Sequence, residues 1–126
     1  MTLLLAFALW AAPEPEIFTF LAAVEVQDNR SELLAMAWVE TRFHNDRVSE
    51  AGACCFLGVL GGRYGNPSCD RLRARPWLCV MTAQRWIAYW RHHCGKRYLD
   101  CYNKGWSGRE GGTYGAKVRR IKRRFE

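Results

Sequence analysis

Residues 29–60, NRSELLAMAWVETRFHNDRVSEAGACCFLGVL, are the stretch on which the reading of this chain turns. Leu33, Leu34, Met36, Ala37 and Trp38 continue an apolar pattern at helical spacing, and Asn29 followed three residues later by Glu32 is a variant of the capping-box start signal. The pattern predicts a helix that begins near Arg30 and fades after Thr41, with Glu40 in its last turn. Unpaired carbonyls at a helix end disfavour a further negative charge. Trp38 and Phe43 add apolar surface nearby. Desolvation and a helix C-terminus both raise a carboxyl pKa, which is what a general acid needs to hold a proton near neutral pH. Taken alone, Glu40 reads as the half-exposed end of an amphipathic helix; its neighbours change that.

Working outward, the 126 residues fit one domain with a real core and leave no room for a second. With 49% hydrophobic residues and six Trp, the composition is globular and excludes a disordered chain. The net charge of +7 points to an acidic partner, which could be nucleic acid, an anionic membrane or a cell wall carrying carboxylates and phosphates. Residues 1–14 form an apolar N-terminal segment stopped by Pro13-Glu14-Pro15-Glu16, too short to span a bilayer. It reads either as the apolar part of a secretory signal, with Ala11-Ala12 before a cleavage point, or as a buried N-terminal segment. No Lys or Arg precedes Arg30, so the usual positive start of a signal is missing.

The six cysteines are Cys54, Cys55, Cys69, Cys79, Cys94 and Cys101, without a C-x-x-C pair and with only His44, His92 and His93 as other soft ligands. Zinc ligands come in close pairs that this chain lacks, so disulfides are the better reading and no metal is expected. Disulfides imply an oxidising location, periplasmic or extracellular. Six cysteines allow about fifteen pairings, and a bridge between the adjacent Cys54 and Cys55 is the least favoured.

Residues 15–28 read as a first helix, with Phe18, Leu21, Ala22 and Glu25 at helical spacing, and Asn45 to Gly52 as a polar turn. Gly61 to Pro67 reads as a loop. Val80 to Cys94 reads as a helix whose stripe, with Trp86 beside Ile87 and Trp90, is core sooner than binding surface. His92 and His93 at its end are favoured there by the helix dipole and are given no catalytic role. A short helix or turn follows around Tyr98 to Asn103, then a flexible glycine-rich segment from Lys104 to Gly112. Tyr114, Val118, Ile121 and Phe125 mark one face of a closing helix opposed by Lys and Arg, a pattern shared with interfacial helices. No strand pattern of convincing length is present, so the predicted class is all-α.

Three motifs run in order: Glu40-Thr41-x-Phe43, then Val48-Ser49-x-x-Gly52-Ala53, then Tyr102-Asn103-x-Gly105. Together they resemble the soluble lytic transglycosylases and their relatives the goose-type lysozymes, whose pattern is a catalytic Glu-Ser-x-aromatic, a Ser with Gly-Ala, Gly-Leu-x-Gln, and much later Ala-Tyr-Asn-x-Gly. The resemblance covers roughly Leu33 to the closing helix, and it implies that the loop from Gly61 to Pro67 helps form the substrate groove. This chain departs from the pattern at three places: Thr41 stands for the Ser, Cys101 for the Ala, and Cys55-Phe56-Leu57-Gly58 for Gly-Leu-x-Gln, so the cleft glutamine is absent.

The resemblance implies a compact, disulfide-stabilised lysozyme-like domain over residues 15–126 that cleaves the β-1,4 bond between N-acetylmuramic acid and N-acetylglucosamine without a cofactor. Glu40 would be the single acid and base, Tyr102 would hydrogen-bond its carboxyl, and Ser49 and Asn103 would bind the sugar. Most glycosidases use two carboxylates. Asp46, Glu50, Asp70 and Asp100 match no family motif, so a transglycosylase closing a 1,6-anhydro ring is favoured over a hydrolase. The expected partners are peptidoglycan strands and an anionic membrane touched through the basic C-terminal helix, with no specific nucleic acid and the protein a monomer. The alternatives are a goose-type lysozyme, a non-catalytic wall-binding or virion protein, and a nucleic-acid or membrane binder using Lys117, Arg119, Arg120, Lys122, Arg123 and Arg124. The short length and closing basic helix suit a bacteriophage setting.

Overall fold

The computed structural model describes residues 15–126, and the expectation for residues 1–14 lies outside them. Six α-helices follow: α1 (Glu16–Glu25), α2 (Arg30–Thr41), α3 (Cys69–Ala74), α4 (Pro76–Cys94), α5 (Tyr98–Lys104) and α6 (Tyr114–Lys122). Between α2 and α3 lies a hairpin of two short strands, β1 (Ala53–Cys54) and β2 (Val59–Leu60), paired antiparallel with Ala53 opposite Leu60. The class is mainly α. The hairpin corrects the all-helical expectation, because strands of two residues are too short to show alternation.

Helix α2 begins at Arg30 and ends at Thr41, as its pattern predicts. The capping box does not form. Instead the Asn29 side chain donates to Glu32 and to Gln84, each at 3.0 Å, and Gln84 donates back to Asn29 at 2.7 Å. Asn29 thus ties the start of α2 to α4. Helix α4 begins earlier than Val80, at Pro76, a residue suited to the first helical position because its missing N–H would be unpaired there. Helix α3 was not expected; its start is Ser68, whose hydroxyl accepts from the Arg71 N–H, with Asp70 in the first turn.

The core forms where α1 packs on α4 and α2 on α6, around Phe20, Leu33, Met36, Phe43, Phe56 and Val80. Phe20 stacks on Phe56 at 4.4 Å, which seats the hairpin turn on α1. The apolar face of α6 belongs to this core: Tyr114 and Val118 are buried, and Phe125 meets Phe43 edge-on at 6.2 Å. This packing leaves Lys117, Arg119 and Arg120 on the exposed side of the helix. The segment after α5, expected to be flexible, is a 3₁₀ helix over Gly105–Glu110 whose Gly108 is pressed against the backbone of Asp100 and Cys101.

Three disulfides join Cys54 to Cys69, Cys55 to Cys79 and Cys94 to Cys101, and no cysteine is free. They place folding in an oxidising compartment, periplasmic or extracellular. No helix among the described residues is long and apolar enough to cross a membrane. Replacing Cys55 and Cys79 together by Ala should cost about 2 to 5 kcal/mol in urea unfolding. The unreduced native chain should show no thiol reactive to a maleimide after denaturation.

Candidate active site

Glu40 stands in the last turn of α2, and the helix stops just beyond it because Arg42 and Phe43 both turn left-handed, at φ 54° and 62°. Their amides close the helix: Arg42 N–H donates to Trp38 O at 3.0 Å and Phe43 N–H to Ala37 O at 3.4 Å. The Arg42 guanidinium adds a 2.8 Å bond to Trp38 O and lies over the Trp38 ring at 4.5 Å. Next to Glu40, the Thr41 hydroxyl donates to Phe56 O at 2.9 Å, tying the helix end to the hairpin turn.

The hairpin turn is fixed from several directions. Cys55 adopts φ 59° where the family pattern has glycine, and its side chain is bonded to Cys79 of α4. Tyr102 donates its hydroxyl to Leu57 O at 2.9 Å. Gly58 has φ 64°, and a Cβ on it would lie 2.5 Å from Glu40 Oε2 and 2.9 Å from its carboxyl carbon. Glycine at 58 therefore does two things: it supplies the left-handed turn, and it leaves the space that the carboxyl fills. The position where the family pattern has glutamine is here the seat of the acid.

Glu40, Ser49, Tyr102 and Asn103 all line one cleft of about 620 Å³. Two of their expected roles change. Tyr102 gives its hydroxyl to the Leu57 carbonyl and not to the Glu40 carboxyl. Ser49 accepts from Ala53 N–H at 3.0 Å and so closes the hairpin while it lines the cleft. The Asn103 side chain is exposed and makes no hydrogen bond among the described residues, which leaves it available to a ligand.

Burial pushes the Glu40 carboxyl up to about 7. Desolvation is the cause. The Tyr102 and Tyr114 phenols are held well above their usual range, first by burial and then by the charge of Glu40. Tyr114 is buried with its hydroxyl unpartnered among the described residues. Both phenols stay neutral.

Glu40 is the one carboxylate lining the cleft among the described residues. Asp46 and Asp70 line a separate groove, Glu50 is exposed on its turn, and Asp100 is buried and accepts the Gly115 N–H at 2.8 Å. No group of His, Cys, Asp or Glu among the described residues is placed to hold a metal ion.

The cleft also has an aromatic wall that the sequence did not reveal: Tyr64, Trp86, Tyr89, Trp90 and Trp106 line it. Trp86 sits 5.8 Å from Tyr64 and 5.3 Å from Tyr89, and Trp90 sits 5.1 Å from Trp106, all edge to face. Trp86 is anchored by its N–H to Asn66 Oδ1 at 2.9 Å, and Asn66 in turn donates to Leu60 O. Two of these residues, Trp86 and Trp90, lie on the stripe of α4 that reads as core from periodicity. The stripe is core at Val80 and Ile87, and becomes cleft wall at its C-terminal half.

No protein-family model, curated protein or solved structure matches this chain.

A carboxyl raised from 4.5 to about 7 on folding keeps a proton in the folded state that the unfolded chain releases between those values. Its contribution is thus fully present below the lower value and is lost as pH rises through the higher one, a decline of about 3 kcal/mol. Glu40→Gln carries no such proton, so the variant should be more stable than the parent at about pH 8 and lack that decline. Parallel pH profiles of urea unfolding for the two proteins would show that Glu40 is not desolvated. Gly58→Ala should cost about 1 to 3 kcal/mol through the left-handed backbone alone, with displacement of Glu40 added.

Proposed function

We propose that this protein is a peptidoglycan lytic transglycosylase that cleaves the β-1,4 bond from N-acetylmuramic acid to N-acetylglucosamine, with Glu40 as its one acid and base. The observation that carries this reading is a single desolvated carboxyl, raised to about 7, in a cleft lined by no second carboxylate among the described residues. A lysozyme-like fold is part of the proposal. It rests on the ordered motifs, on a left-handed Cys55 at the pattern's glycine, and on Glu40, Ser49, Tyr102 and Asn103 sharing one cleft.

Near neutral pH about half of such carboxyls are protonated, which suits a group that must first give a proton and then take one. Protonated Glu40 donates to the glycosidic oxygen, and the bond to the muramic C1 breaks with the electron pair leaving on that oxygen. The resulting carboxylate then removes the proton of the muramic 6-hydroxyl as its oxygen bonds C1, closing the 1,6-anhydro ring and restoring the acid. No water is consumed. An inverting hydrolase needs a second carboxylate across the sugar to activate water, and this cleft offers none. An intramolecular hydroxyl needs only to be held close.

The walls suit this substrate. Aromatic faces pack against the apolar faces of pyranose rings, and Tyr64, Tyr89 and Trp106 are open to solvent within the cleft. Asn103 offers an amide donor and acceptor to an acetamido or hydroxyl group.

Muropeptides released from purified sacculi should end in 1,6-anhydro-N-acetylmuramic acid, lighter by one water than hydrolysed ends. Glu40→Gln should lower the rate by about a hundredfold to ten-thousandfold while the fold is kept. Reducing ends that take up oxygen from heavy water would make the protein a goose-type lysozyme. Sacculi left intact by the parent would make it a wall-binding protein.

A further inference from the structure

A second cavity, of about 690 Å³, shares no lining residue with the cleft. The two are divided by α5, whose first half walls this cavity and whose second half walls the cleft. Lys96 and Arg97 enter it from the 3₁₀ turn before α5, and Arg119 and Lys122 from α6. Its two carboxylates are buried and engaged elsewhere. Glu32 accepts from the Tyr98 hydroxyl, from Asn29 at 3.0 Å and from Arg91 at 3.5 Å, and Asp100 accepts the Gly115 N–H. No carboxylate among the described residues forms a salt bridge with Lys96, Arg97 or Arg119, and Lys122 reaches only Glu126, at 4.0 Å.

Both guanidiniums lie against glycines at the entry to α6. A Cβ on Gly111 would be 2.5 Å from Arg97 Nη1, and one on Gly115 would be 3.0 Å from Arg119 Nη1. Each head group thus rests on bare backbone, where a larger residue would push it away. Both heads stay exposed to water, and the four cations lining the cavity outnumber its two carboxylates, which leaves it a net positive charge that an anion can answer.

We propose that this cavity binds a diphosphate-type anion, with Arg97 and Arg119 as bidentate partners of the phosphate oxygens and Lys96 and Lys122 as flanking charges. The guanidinium fork matches phosphate geometry, and four cations suit a ligand with more than one phosphate better than a single monoanion. The site is independent of the proposed chemistry at Glu40.

The test is isothermal titration of the whole chain with inorganic pyrophosphate in about 0.15 M salt, where scattered surface charge is screened. Saturable binding is expected, weakened at least about tenfold in R97Q/R119Q and within about twofold in R123Q/R124Q, which removes equal charge from the exposed end of the chain. Absence of saturable binding, or equal weakening by the two pairs, overturns the proposal. Thermal melts of the variants confirm that each is folded, since all four arginines are exposed. Sedimentation with phosphatidylglycerol vesicles then identifies the source of the phosphate. Loss in R97Q/R119Q alone assigns it to a lipid headgroup, and equal sedimentation of both variants assigns it to a soluble compound.

Discussion

The contact between the Glu40 carboxyl and the backbone of Gly58 is the constraint around which the rest of the molecule is arranged. A carboxyl removed from water needs either a counter-charge or a proton, and the residues packed around this one supply no counter-charge. Holding it there requires that the helix end and the hairpin turn approach within van der Waals contact and stay there. The Thr41 bond to Phe56 O, the Tyr102 bond to Leu57 O, the bridge from Cys55 to α4 and the seat of Phe56 on Phe20 all act on the same four residues of turn. Each bond taken singly is worth little; their convergence on one turn makes the acid's position rigid.

How much of this was legible depends on whether a residue's role is set by its own neighbours in sequence. Helix α2 and the position of Glu40 in its last turn were readable because apolar spacing and a polar turn lie side by side along the chain. The motif order also brought together residues far apart in sequence, and Glu40, Ser49, Tyr102 and Asn103 do share a cleft. Their hydrogen bonds were not readable. A phenol beside a carboxyl looks like its partner, and only the fold reveals a backbone carbonyl that takes the bond instead. The amides that cap α2 were hidden for the same reason, since they come from residues whose left-handed turn has no glycine to announce it.

The aromatic wall was hidden by a different cause. Trp86 and Trp90 keep helical spacing with Val80 and Ile87, so one stripe of α4 serves the core at one end and the cleft at the other. Periodicity identifies a face, not what lies opposite it. Tyr64 lies in the loop that the resemblance assigned to the groove, whereas Trp106 sits in a glycine-rich segment with no pattern to read. Pairing among six cysteines was equally closed to inspection, because it depends on which loops meet.

The order of the bridges along the chain governs how the molecule behaves when it is cut. The loop from Gly61 to Pro67 exposes Arg63 and Tyr64, and lies between Cys54 and Cys69 and between Cys55 and Cys79. Cleavage after Arg63 leaves the two fragments joined by two covalent links, with Glu40 on one fragment and Asn103 on the other. A nick there is a change of connectivity without a loss of parts.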